Sequence, residues 1–179
     1  MRIQRGFLIL LGVVLLFDRQ GLFFYILLAV LVHEAAHAAI LHAVGGKIEG
    51  VRLGLFGITI NIAPRPIISY GQEILAIFAG PAVNLLLAFV FSWHSNASGA
   101  GVMLLFGLFN LLPVKSLDGG RIVHLFFLRF LGLRTANLSI DIVSVLCLAA
   151  LAWLLWLPGF FVMYGFLLLS FLRERPFTG

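Results

Sequence analysis

Charge is scarce in this chain of 179 residues: Asp, Glu, Lys and Arg make up 11% of it, against 62% hydrophobic residues. That balance leaves too little polar surface to solvate a globule of this size, which excludes an ordinary water-soluble domain. Cysteine is nearly absent. The single one, Cys147, sits in an apolar stretch, so neither a disulfide framework nor a thiolate metal site can be built. A continuous basic face is also missing: the twelve basic residues behind the net charge of +5 stand singly between apolar runs. Nucleic acid is therefore not an expected partner. The start, MRIQRGFLILLGVVLLFDRQG, has the basic residues and short apolar run of a signal peptide but no small-residue cleavage pattern after them, so it is expected to be retained.

What the sequence has in abundance is long apolar runs. They cover Phe7 to Phe17, Leu22 to Val44, Ile74 to Trp93, Val102 to Leu133 with polar interruptions, Leu138 to Leu157, and Phe160 to Leu172. Their lengths predict an all-α polytopic membrane protein with about six transmembrane helices, the first and last short for a bilayer of about 30 Å. With a cytoplasmic N-terminus, nine basic residues from Arg2 to Arg175 fall on the cytoplasmic side and only Arg19 opposite. Lys115 and Arg121 take neither side. The positive-inside rule then puts both termini in the cytoplasm of a multi-pass cell-membrane protein.

Between Gly45 and Gly71 the period changes from helical to twofold. Val51, Leu53 and Leu55, then Ile58, Ile60 and Ile62, alternate with other residues, and Gly54, Gly57, Pro64 and Pro66 punctuate the stretch. This predicts a small β-hairpin or sheet associated with the membrane after the second helix, with one edge potentially unpaired. One domain over 1–179 is expected, with neither a PDZ nor a CBS domain.

Inside the second apolar run stands His33-Glu34-Ala35-Ala36-His37. Histidines four apart on a helix share a face, so both imidazoles can hold one zinc ion while Glu34 takes a proton from water at the metal. A chance match is the bland alternative. It leaves an ionisable group at mid-bilayer, at about 2.5 to 3.5 kcal/mol on insertion scales, with no role to offset that cost. A catalytic zinc takes three protein ligands and keeps one position open. Asp118 is the candidate third ligand, in the segment Asn110-Leu-Leu-Pro-Val-Lys-Ser-Leu-Asp118-Gly-Gly, where Pro113 breaks the helix and two glycines permit irregular backbone. An ordinary interfacial turn is the alternative there. His42 falls about 140° round the helix from His37, so it should point away. His94 sits at a span end, His124 reads as structural, and Asp141 reads as a charge near a helix start.

HEAAH in one apolar helix and NLLPVKSLDGG in a later broken one, with Ala79-Gly80-Pro81-Ala82-Val83-Asn84 between them, resemble the site-2 protease family of intramembrane zinc metalloproteases. The last segment is similar to that family's GPxxN element, and a β-rich stretch after the HExxH helix is a further family feature. The layout resembles the compact branch that includes the sporulation proteases. Ala36 stands where members often carry glycine, and Ser116 and Leu117 stand where many carry proline before LDG; neither change removes a ligand. The resemblance implies one Zn2+ per chain held by His33, His37 and Asp118, Glu34 as general base, and Asn84 and Asn110 as substrate-positioning groups. It implies regulated intramembrane proteolysis of membrane-anchored substrates such as anti-sigma or pro-sigma factors. A small metal transporter would also place histidines and carboxylates in membrane spans, and a catalytically inactive membrane scaffold is the other alternative.

Overall fold

The computed structural model of the chain describes residues 2–3, 18, 21–45, 48–54, 57–62 and 69–154. They form β1 (Arg2–Ile3), α1 (Leu22–Ala43), β2 (Ile48–Gly54), β3 (Gly57–Ile62), α2 (Tyr70–Trp93), α3 (Ala97–Asn110), α4 (Asp118–Leu131) and α5 (Leu133–Leu154). The chain divides into two compact units, Met1–Leu108 and Phe109–Gly179.

In the first unit, α1 starts where Asp18 accepts hydrogen bonds from the Leu22 and Phe23 amides at 2.9 and 2.8 Å. A carboxylate there satisfies orphan donors and faces the positive end of the helix dipole. The helix stops at Val44, followed by Gly45 with φ +90°. Its 22 residues rise about 33 Å, enough to cross a hydrocarbon core. α2 opens on a reciprocal cap, the Ser69 hydroxyl accepting from the Gln72 amide while Gln72 Oε1 accepts from the Ser69 amide. α3 opens on Asn96, whose Oδ1 accepts from Gly99 N and whose Nδ2 donates to the Tyr25 hydroxyl, both at 2.9 Å. The apolar core joins Ala29, Ala88 and Met103 to Leu28, Leu87, Phe91 and Phe106. Alanines at the helix contacts let backbones approach closely, the usual basis of helix association in lipid.

The strands order as β1-β2-β3. β2 and β3 are antiparallel, with Val51 opposite Ile60 and Leu53 opposite Ile58, and an irregularity at Ile48/Gly50. β1 lies parallel to β2, Arg2 opposite Arg52. Among the described residues β3 pairs on one side only.

In the second unit, Val114, Leu117 and Leu148 form the buried core, with Phe109, Leu112, Cys147 and Leu151 against it. The sequence reads residues 102–133 as one interrupted span, and here the fold differs. α3 and α4 are separate helices of 14 residues, each about 21 Å long, joined by a turn over 111–117. Pro113 lacks the amide a continuous helix would need. Gly119 and Gly120 let α4 start hard against the turn, because a Cβ on either would collide with the carbonyl of Leu111 or of Val114. Among the described residues three helices, α1, α2 and α5, are long and apolar enough to cross a membrane. The expected spans over 7–17 and 160–172 lie outside the described residues.

Candidate metal centre

Two ring nitrogens converge inside the first unit. His33 and His37, one helical turn apart on α1, bring their Nε2 atoms to 3.0 Å, with ring planes at 86°. Two imidazoles on one tetrahedral zinc at about 2.05 Å would set these nitrogens about 3.3 Å apart, so the pair stands close to the spacing a metal requires. His33 is buried and His37 half-buried.

Each ring is held from outside the pair. His37 Nδ1 donates to the Ala76 carbonyl at 2.8 Å, which fixes the tautomer and leaves a lone pair on Nε2. The Phe106 ring meets the His33 ring edge-on, centroids 5.3 Å apart at 88°. Gly80 of α2 faces the gap itself. A Cβ built there would lie 2.7 Å from His33 Nε2 and closer still to His37 Nε2. Glycine at this position therefore leaves open the volume at which both nitrogens point, and a gap faced by two ring nitrogens fits a metal ion. Glu34 is half-buried on the same helix, three residues before His37 and so about 60° from it around the axis. Asn84, one turn beyond Gly80, is fully buried with Nδ2 3.4 Å from His33 Nδ1.

In the second unit, Asp118 is the first residue of α4 and is buried, with Arg121 Nη1 3.7 Å from its Oδ1. Its charge complements the helix N-terminus. The turn before it is tied to α5 by a polar cluster. Lys115 N donates to Ser144 Oγ and Lys115 Nζ to Asp141 Oδ1, both at 2.9 Å, while Ser144 Oγ donates to the Ile140 carbonyl at 2.7 Å. Asp141 is thus not a charge at a helix start: it stands in the third turn of α5 as the partner of a buried lysine. His124 Nε2 donates to Asn137 Oδ1 at 2.8 Å, a tie between α4 and α5 that fits a structural histidine. His42 is exposed, and Asn110, half-buried, ends α3.

The sequence reading named His33, His37 and Asn84, which the first unit brings together. It had Gly80 in the GPxxN-like segment without the gap that this glycine leaves open, and it missed the Ala76 carbonyl. Gly80 was visible as half of a glycine-proline pair in an otherwise good helix. The Ala76 carbonyl had no signal, because any residue type supplies one.

No family model matches the chain. It is 35% identical over 119 residues, 58% of its length, to the putative zinc metalloprotease Rip3 of Mycobacterium tuberculosis, of which the match covers 30%. Over 164 residues, 83% of its length, it is 29% identical to stage IV sporulation protein FB of Bacillus subtilis, of which the match covers 57%. The chain thus spans about a third to somewhat over half the length of these relatives. In fold it matches the site-2 protease of Methanocaldococcus jannaschii with a TM-score of 0.68 at 19% identity, over 95% of this chain and 86% of that one. This is a membrane protein with the fold of a site-2 protease and with a named zinc metalloprotease among its relatives. The resemblance carried by HEAAH, the GPxxN-like segment and LDGG is borne out.

Proposed function

We propose that the chain is an intramembrane zinc metalloendopeptidase, which hydrolyses peptide bonds in or near the transmembrane segments of membrane-anchored proteins. The observation that carries this reading is the convergence of His33 and His37 Nε2 at 3.0 Å on a gap that Gly80 leaves open. Asp118 is assigned as third ligand, supported by its place in the LDGG segment, its burial and the glycine-framed turn that presents it. Two imidazoles and a carboxylate are a donor set suited to catalytic zinc.

When bound, zinc supplies a polarised scissile carbonyl and a more acidic water. The protein supplies the rest. Glu34 accepts the proton of the attacking water and returns it to the departing amine, while the Ala76 carbonyl holds His37 in the tautomer that presents Nε2. A transmembrane substrate hides its carbonyls in its own helical ladder, so it has to unwind locally before cleavage. The side of β3 that pairs with no described strand offers a place to hold the unwound segment by β-augmentation. Asn84 and Asn110 carry amides suited to positioning substrate, Asn84 also bordering His33. Six spans, a membrane-associated hairpin and cytoplasmic termini complete the proposed topology, within one protease domain. Anti-sigma or pro-sigma factors are the proposed substrates.

The reading is tested by zinc content. Wild-type protein purified in detergent should carry about one zinc per chain, and Asp118→Asn should lower its affinity for zinc roughly 10- to 100-fold. Wild type without zinc affinity contradicts the proposal.

A further inference from the structure

Asn84 is fully buried, and its Oδ1 has no hydrogen-bond partner among the described residues. A buried amide oxygen left in that state has lost its hydration with no hydrogen bond to replace it, which is unfavourable. Its Nδ2 lies 3.4 Å from His33 Nδ1, so this amide borders the ring edge opposite the one that faces His37. Rotating the amide half a turn about its last bond exchanges oxygen and nitrogen at little steric change.

The two orientations match two positions of one proton. With Nδ2 towards the ring, His33 Nδ1 accepts, the ring proton stays on Nε2, and that proton lies along the 3.0 Å line to His37 Nε2. A ring in this tautomer has no lone pair for a metal at Nε2. With Oδ1 towards the ring, Nδ1 donates its proton to the amide oxygen and Nε2 is freed as a ligand. His37 has its tautomer fixed by a main-chain carbonyl, which cannot rotate away. His33 borders a side chain that can serve either tautomer.

We infer that Asn84 is a positioning residue for His33, its amide turning so that Oδ1 accepts a hydrogen bond from Nδ1–H and Nε2 becomes a metal ligand. This rests on the zinc-site reading above, and it gives Asn84 a task separate from contact with substrate. A residue that holds a ligand's second nitrogen changes metal affinity by roughly 10- to 100-fold when removed.

The experiment uses the full chain in detergent, with zinc alone as the probe. Zinc affinity is measured by chelator competition for wild type, Asn84→Leu and Asn84→Asp, and the ring nitrogens of 15N-histidine-labelled wild type are observed by NMR. Asn84→Leu, similar in volume but without an acceptor, should bind zinc roughly 10- to 100-fold more weakly. Asn84→Asp, which keeps an acceptor oxygen, should recover most of that loss. In zinc-loaded wild type the His33 proton should sit on Nδ1. Unchanged zinc affinity in Asn84→Leu with a raised KM would make Asn84 a substrate contact and overturn the inference. So would an unprotonated Nδ1 in zinc-loaded wild type, a measurement that needs no variant to fold. Both of those outcomes leave the zinc site standing, whereas wild type that binds no zinc removes the site and the inference with it.

Discussion

Lys115 Nζ donates to Asp141 Oδ1 across 2.9 Å, joining the turn before Asp118 to α5 through a lysine side chain only 4% exposed beside a carboxylate 40% exposed. The neighbouring bond from Lys115 N to Ser144 Oγ uses the same face of α5, so backbone and side chain of one residue are both anchored there. Lysine in an apolar bundle is tolerated when paired, and removing one partner of a buried pair costs more than removing both.

Asp141→Leu should therefore destabilise the protein by roughly 1–3 kcal/mol, below the fully buried range because Asp141 is partly exposed. Lys115→Met combined with Asp141→Leu should be less destabilised than Asp141→Leu alone. Unfolding in detergent, arranged as a double-mutant cycle, measures the coupling, and an additive result removes the pair as an anchor.

Gly80→Ala should fold, since alanine favours helix over glycine by about 1 kcal/mol and the nearest atoms to a new Cβ belong to two imidazole side chains rather than to backbone. Zinc affinity should fall by about 100-fold or more, because the new methyl occupies the gap at which both Nε2 atoms point. Bound zinc measured against secondary-structure content separates loss of metal from loss of fold.

Glycines of α3 and α4 should behave in opposite ways. A Cβ at Gly119 or Gly120 meets main-chain carbonyls, which cannot move aside as a side chain can, so either change to Ala should cost about 1–3 kcal/mol or more. Gly101 has open space around it, and Gly101→Ala in α3 should be neutral or stabilise by up to about 1 kcal/mol. Thermal unfolding of the three variants checks the order.

Long apolar periodicity made α1, α2 and α5 legible in the sequence, because a bilayer demands unbroken apolar length. The twofold alternation of Val51, Leu53, Ile58 and Ile60 marked the segment that carries β2 and β3. His33 and His37 were legible because a four-residue spacing fixes their shared face whatever surrounds the helix. The break at Pro113 was legible, but its result, two separate short helices rather than one interrupted span over residues 102–133, was not, since an apolar run does not record how the chain continues after the break. The tie between Lys115 and Asp141 was not legible, because a contact between residues 26 apart leaves no local pattern. The Ala76 carbonyl that holds His37 is likewise a main-chain group, invisible to residue type.

Cleavage of a single-span membrane substrate by purified protein in liposomes, wild type against Glu34→Gln at matched zinc content, tests the central claim most directly. Wild type should cut, chelation should stop it, and Glu34→Gln should lose roughly 100-fold or more of the rate while retaining zinc. Equal cleavage by both proteins would contradict the account, because Glu34 would then not be the group that moves the proton.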